Sequence, residues 1–230
     1  MGYEQEYANR IVIDLETVAS PDAALFLDPV RAPANYKDEA KIAAYKSEKL
    51  AEIVGKAALE ADLCEIVAVG WWIEGQDGCR SYTRADLNEV GLIESTWAAI
   101  EAADTDFGVR TIIGFSVLGF DLPVLIRRSQ LLDVRYPYIN MDRYRTPHID
   151  LIERLTFNGK LTYRSLAFYC RRFGIPCQDA IHGSEIGALV AANDWAGVQA
   201  HNLADVDKTA RLAHRLGYLR TVPISATVAA

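Results

Sequence analysis

The chain has 230 residues, half of them hydrophobic, and a formal net charge of −7 at pH 7. This length and composition suit one large α/β domain with a full core, so we predict a single domain over residues 1–230, with two smaller domains as the alternative. The negative charge argues against a protein whose whole surface wraps nucleic acid.

The cysteines and the N-terminus indicate the cellular compartment. The four cysteines form no CxxC pair and have no histidines at zinc-ligand spacing, which argues against a zinc knuckle and a disulfide framework. The first ten residues are polar and charged, and no apolar run approaches the roughly 18 residues of a membrane span. We therefore expect a soluble, cytoplasmic protein with no membrane partner.

Residues 10–17, RIVIDLET, predict the first strand because β-branched and apolar residues dominate the stretch. Side chains alternate across a strand, so Asp14 and Glu16 point to the same side. Two carboxylates held this close repel each other, and a divalent cation is the commonest partner that removes the repulsion. The first strand therefore predicts a metal site.

The elements that follow predict an α/β fold, in which a mixed sheet carries helices on its faces. A helical insertion separates the first strand from the second, and the C-terminal third of the chain is mostly helical. In chain order we predict a helix at 38–59, strands at 64–75 and 78–83, a helix at 87–103, a strand at 111–117, and helices at 120–132, 163–174, 184–194 and 194–219.

Two later carboxylates can join the first pair. Asp121 follows the fourth strand, although an Asp just before Leu-Pro is also typical of a helix N-cap. Asp205 shares a helix face with His201, four residues earlier, although a carboxylate beside an apolar stripe is also typical of a solvated rim. Four carboxylates can hold two divalent ions roughly 4 Å apart for phosphodiester hydrolysis. A histidine beside them can serve as the base.

Three segments in this order, VIDLET, GFSVLGFDLPVLIRRS and HNLADVDKT, resemble the motifs of the DEDD superfamily of 3′–5′ exonucleases. The chain is most similar to stand-alone proofreading-exonuclease-like proteins related to family B DNA polymerases, over about residues 10–219. The resemblance implies a ribonuclease H-like fold and a two-metal 3′–5′ exonuclease that uses Mg²⁺ or Mn²⁺. It also implies single-stranded DNA as the substrate, with RNA as the alternative.

The resemblance assigns a role to each candidate residue. It implies that Asp14, Glu16, Asp121 and Asp205 are metal ligands and that Glu16 also contacts the attacking water. It places His201 in the position of the general base or the water-orienting residue. The family's last motif is YxxxD in one branch and HxxxxD in the other. This chain has HxxxD, so it combines the spacing of the tyrosine branch with the residue of the histidine branch.

The segment at residues 125–172 carries ten Lys or Arg against four Asp or Glu, so it is basic in an acidic chain. A solvated basic face is one interpretation, and local attraction of an anionic polymer is the other. The second motif has Ser116 where family members often carry Asn. We expect the following residues to contact nucleic acid: Thr17, Ser116, Phe120, Arg127 and Arg128.

Two other kinds of protein stay open from the sequence. One is a catalytically weak nucleic-acid-binding accessory module of the same fold, and the other is a ribonuclease H-like endonuclease. The four acidic positions argue against the first, and His201 with Asp205 on one late helix argues against the second. No motif identifies a polymerase or replication partner.

Overall fold

The computed structural model describes residues 10–103, 110–142, 144–176 and 181–224. Its centre is one mixed sheet built from the strands β1 (Arg10–Ala19), β2 (Cys64–Ile73), β3 (Arg80–Thr83), β4 (Thr111–Gly114) and β5 (Ile149–Asp150). The strand order is β3-β2-β1-β4-β5. The β2 strand is antiparallel to both of its neighbours, whereas β4 is parallel to both β1 and β5.

Helices cover both faces of the sheet. Within the described residues they are α1 (Glu39–Lys56), α2 (Glu89–Ala102), α3 (Asp121–Leu131), α4 (Leu151–Leu155), α5 (Leu166–Phe173), α6 (Ile186–Ala191) and α7 (Trp195–Arg215). The predicted α/β fold and the helical C-terminal third are thereby confirmed. No helix in the described part of the chain is both long enough and apolar enough to span a bilayer.

Alternation along β1 divides the core into two layers. Ile11, Ile13 and Leu15 pack with α2 and α3 on one face of the sheet. Val12 packs with Val206 of α7 on the other face. Every second residue of a strand points to the same face of the sheet. Asp14 and Glu16 therefore lie with Val12 on the face that α7 covers.

The predicted insertion helix is present. Asp38 caps α1 by accepting hydrogen bonds from the backbone N–H groups of Ala40 and Lys41. The α-helix ends at Lys56, and a 3₁₀ turn at Ala57–Leu59 completes the predicted span. No residue of α1 is buried, so the helix lies on the surface with both polar and apolar side chains accessible.

The fourth strand is shorter than the prediction of residues 111–117, because it ends at Gly114. Ser116 adopts a left-handed backbone with φ of 72°, which turns the chain out of the sheet. The side chain of Asp150 holds this turn by accepting hydrogen bonds from the backbone N–H groups of Ser116 and Leu118, each at 3.0 Å. Asp150 lies on β5, and this strand has only two residues, too few for a sequence pattern to predict it.

Candidate active site

Asp14 and Glu16 lie on the α7 side of β1, as alternation predicts. The Nε2 atom of His201 is 3.6 Å from Oε1 of Glu16. The Nδ2 atom of Asn202 donates to Oδ2 of Asp14 at 2.9 Å and also lies 3.2 Å from the Asp14 carbonyl oxygen. Two adjacent residues of α7 therefore contact the two carboxylates of the first strand.

Asn202 connects three elements at this point. Its side-chain oxygen accepts a hydrogen bond of 2.7 Å from the hydroxyl of Ser81 on β3, while its amide donates to Asp14 on β1. The strand between them contributes Gly70, which pairs with Asp14 in the sheet. The Asn202 side chain thus fixes the height of α7 above the sheet where the carboxylates lie.

Gly70 is required for this close approach. A Cβ atom built on it would overlap the side-chain oxygen of Asn202 and lie 2.8 Å from Cγ2 of Val206. We expect Gly70→Ala to lower the free energy of unfolding by about 1–3 kcal/mol, because α7 must move away from the sheet. Chemical denaturation measures this difference.

Gly55→Ala is the matched control, because a Cβ at that helical position has no neighbour within 4 Å beyond its adjacent residues and the nearby backbone of its own helix. This substitution should raise the stability by about 0.5–1 kcal/mol, since alanine has the higher helix propensity. Equal stabilities of the Gly70→Ala and wild-type proteins would contradict the proposed close contact between α7 and β2.

Asp121 reaches the carboxylates of β1 from a third element of the fold, α3. It is the first residue of α3, and Phe120 occupies the N-cap position without a side-chain capping bond, so the N-cap interpretation of Asp121 is wrong. Its Oδ1 atom instead accepts a hydrogen bond of 3.1 Å from the backbone N–H of Leu15, between the two acidic residues of β1. Asp121 is buried.

Asp205 lies one helical turn after His201 on α7. Its Oδ2 atom is 4.0 Å from Nε2 of the histidine, and its other oxygen forms an ion pair with the ammonium group of Lys208. The Asp205 side chain is 21% exposed and that of Lys208 only 9%, so this ion pair is mostly shielded from water. The interpretation of Asp205 as a solvated rim residue is not supported.

The pKa values express how strongly these groups interact. Although part of Asp14 reaches solvent, desolvation by the surrounding protein raises its pKa well above the usual value, and the charges of Glu16, Asp205 and Asp121 raise it further. Burial raises the pKa of Asp121 to about 7, against the opposing effect of the hydrogen bond from Leu15. The four carboxylates therefore form one electrostatic cluster that lacks sufficient positive charge.

The chemistry of this cluster fits a hard divalent cation. Its donors are carboxylate oxygens, the ligands preferred by Mg²⁺ and Mn²⁺. Within the described residues, no three His, Cys, Asp or Glu side chains already stand in the arrangement of a metal site. Lys208 and His201 are positively charged or protonatable partners that contact the carboxylates. The donor types therefore match a metal, while a preformed cage is absent from the described residues.

Two of the residues expected to contact nucleic acid have structural partners. The hydroxyl of Thr17 donates to the carbonyl oxygen of Ala58 at 2.6 Å, which ties β1 to the turn after α1. Arg128 forms a two-pronged ion pair with Glu89 of α2, with both N–O distances at 2.7 Å and only 12% of its side chain exposed. We therefore do not retain Arg128 as a phosphate contact.

The other three candidates remain accessible to differing degrees. Arg127 is about half exposed and pairs with Asp62 at 2.8 Å. Phe120 is half-buried and packs against the core beneath α3. Ser116 lies in the turn that Asp150 holds, close to the N-terminus of α3. Their contacts with nucleic acid stay predictions.

Sequence patterns did not identify Asn202 or Lys208. For Asp150 they left two interpretations, a position near the site and a turn or helix cap. Asp150 does cap α4, through a hydrogen bond from Ile152 N, but it also supports the turn before Asp121. The signal for Asn202 and Lys208 was their position on α7, next to His201 and one turn from Asp205.

This architecture is a ribonuclease H-like fold, as predicted. The family B DNA polymerase of the hyperthermophilic archaeon Pyrobaculum calidifontis is similar in structure, with a TM-score of 0.62 and 15% sequence identity. The match covers 91% of this chain and 24% of the polymerase, so the protein spans about a quarter of that chain.

The family comparison is more specific. Residues 56–228 match the model of a family described as predicted 3′–5′ exonucleases related to the exonuclease domain of PolB. The chain belongs to this family, which confirms the resemblance found in the sequence. The matched range includes Asp121, His201 and Asp205, whereas Asp14 and Glu16 precede it. No curated protein matches the chain.

Proposed function

We propose that the protein is a metal-dependent 3′–5′ exonuclease that hydrolyses phosphodiester bonds at the 3′ end of single-stranded DNA. The observation that carries the proposal is the convergence of four carboxylates from β1, α3 and α7, three of which raise the pKa of the fourth, Asp14. Membership of the exonuclease family supports the reaction type. The similarity to a DNA polymerase motivates the choice of polymer.

The four carboxylates would hold the divalent ions, and those ions supply an activated water and a counter-charge for the leaving oxygen. Asp14 is held from one side by Asn202, and Asp121 by the backbone N–H of Leu15, so both carboxylates have fixed directions. Glu16 can orient the attacking water from its position beside His201. The Nε2 atom of His201, 3.6 Å from Glu16 Oε1, can accept a proton there.

The test is degradation of 5′-labelled single-stranded DNA and RNA with Mg²⁺, Mn²⁺ or a chelator. We expect a ladder that shortens from the 3′ end, that requires the metal, and that forms faster on DNA. Internal fragments would instead identify an endonuclease. Binding of the strand without hydrolysis, in the presence of metal, would favour an accessory module.

His201→Ala should lower kcat by about a hundredfold or more, because the site loses its proton acceptor. His214→Ala is the matched control, because His214 is exposed on the same helix. An unchanged rate for His201→Ala would remove the histidine from the mechanism.

A further inference from the structure

A cavity lies on the α7 side of the sheet, away from the carboxylates. It has a volume of about 470 Å³, within the range of small-molecule sites. Its walls come from the end of α4, from α5 and from the residues after α7. The aromatic residues that line it are Phe157, Phe168, Tyr169, Phe173 and Tyr218.

Two of these rings are accessible to a ligand. Phe157 is 64% exposed and Phe168 is 38% exposed, although aromatic side chains normally favour burial. The guanidinium of Arg164 lies 5.4 Å from the centre of the Phe168 ring, which places a positive charge over one aromatic face. The cavity therefore offers flat apolar surfaces next to positive charge.

Two further arginines line the cavity itself, Arg154 and Arg172. Both are exposed, and neither forms an ion pair with any residue that the structure describes. Unpaired guanidinium groups in a chain of net charge −7 are a local excess of positive charge. Guanidinium groups match the geometry of phosphate oxygens, so the charge is complementary to a phosphate.

The cavity is separate from the carboxylate cluster. At 1.5 Å per residue, Asp205 on α7 and Leu216, the C-cap of that helix at the cavity, are about 16 Å apart along the helix axis. One connection runs between them, because Tyr169 contacts Phe115 with ring centres 6.2 Å apart. Phe115 precedes Ser116 in the turn before Asp121. The cavity and the turn before Asp121 are thus joined through the core on the α7 side of the sheet.

We propose that the cavity binds one nucleotide of the single strand, upstream of the 3′ end that is hydrolysed. Its base stacks on Phe157 or Phe168, and its phosphate contacts Arg154 and Arg172. This inference rests on the proposed exonuclease function for the direction of the strand. It gives the basic segment at residues 125–172 a specific point of contact.

The experiment measures binding of a fluorescent single strand of about 15 nucleotides to the wild-type protein in chelator, where no hydrolysis occurs. The double variant Arg154→Glu/Arg172→Glu should bind at least about tenfold more weakly, and its salt dependence should be shallower by about 0.7 for each phosphate that the variant no longer neutralises. Phe157→Ala should weaken binding roughly five- to 150-fold, because the base has no ring on which to stack.

The controls are Arg135→Glu and Tyr138→Ala. Both residues are exposed and flank residues that pack in the core beneath α3, on the opposite face of the sheet. They should bind the strand as the wild type does. Equal weakening by controls and cavity variants would overturn the proposal, because it would indicate a general charge or stability effect.

Other occupants give distinct results that also overturn the proposal. If the cavity variants lose affinity for a mononucleotide but keep their affinity for the strand, the site is for a free nucleotide. If the wild type is a dimer that the cavity variants convert to monomers, the cavity is covered by a second copy.

The inference and the proposed function can fail separately. Strand binding that depends on the cavity, with no hydrolysis in Mg²⁺ or Mn²⁺, would reject the proposed function alone. Hydrolysis with unaltered strand affinity in the variants would reject this inference alone.

Discussion

Replacing Asp14 with asparagine should lower the rate of 3′-end hydrolysis by at least about a thousandfold while leaving the protein folded. Removing a carboxylate from a metal cluster takes away several kcal/mol of transition-state stabilisation, and each 1.36 kcal/mol is tenfold in rate. The fold should survive, because asparagine keeps the shape of the side chain and its oxygen can still accept the hydrogen bond from Asn202.

The same substitution should stabilise the protein in chelator. The raised pKa of Asp14 means that its charge is unfavourable in the folded state, chiefly through desolvation and then through Glu16, Asp205 and Asp121. A neutral side chain removes this repulsion. Single-turnover hydrolysis with Mg²⁺ measures the rate, and denaturation with and without chelator measures the stability.

Asp28→Asn is the matched control for charge, because Asp28 is exposed in the loop before α1. Its rate and stability should equal those of the wild type. Hydrolysis by Asp14→Asn within a factor of ten of the wild type would contradict a ligand role for Asp14. A strong loss of stability in chelator would contradict the repulsion between the carboxylates.

Asp121→Asn should increase the stability of the metal-free protein, and the increase should grow as the pH rises from about 4 to about 7. Burial raises the folded-state pKa of Asp121 from 3.8 to about 7, so in this pH range the folded state binds more protons than the unfolded state. Stability therefore falls as pH rises, by up to about 4 kcal/mol for this group. Asparagine does not ionise in this pH range, so residue 121 adds no pH dependence to the stability of the variant.

The test compares the stability of Asp121→Asn with that of the wild type at each pH, because a second buried group has the opposite effect on how stability changes with pH. Burial lowers the pKa of His148 to about 4, so its contribution to stability increases as pH rises towards 6.5. His148 is present in both proteins and its effect cancels in the difference. We expect equal stabilities near pH 3.5 and the largest difference near pH 8.

Divalent metal should narrow this difference in stability between the two proteins at pH 8. A ligand that binds only the folded state stabilises it by about 2.7 kcal/mol at a hundred times its dissociation constant. The wild type should gain this stability from Mg²⁺ at pH 8, whereas Asp121→Asn should gain much less. Denaturant titrations across pH, with chelator or Mg²⁺, measure both effects. A difference between the two proteins that does not change with pH would show that Asp121 is not a buried charge.

Much of the site could be predicted from local patterns. Alternation along β1 determined that Asp14 and Glu16 share one side, and the helical repeat determined that His201 and Asp205 share one face of α7. The Ala-, Lys- and Glu-rich composition after the prolines likewise predicted an insertion helix from about Asp38. These features depend on neighbours within a few residues, so a strand period of two and a helix period of 3.6 are enough to find them.

The tertiary structure decided which groups meet across the chain. The sequence predicted that Arg128 contacts nucleic acid, but in the structure it pairs with Glu89 of α2, a different helix. Asn202 reaches Asp14, 188 positions earlier in the sequence, and Asp150 holds the turn at Ser116 from a two-residue strand. No periodicity encodes such partners, because they depend on which elements pack together.

The sequence by itself determined the strand and helix types, the two pairs of candidate residues and the family resemblance. Only the tertiary structure decided that the carboxylates of β1, α3 and α7 form one cluster and that Lys208 contacts it. It also decided that the aromatic and arginine residues of α4 and α5 enclose a cavity with the end of α7. Repulsion, desolvation and enclosure depend on distances in space, and those distances exist only once the sheet and helices have packed.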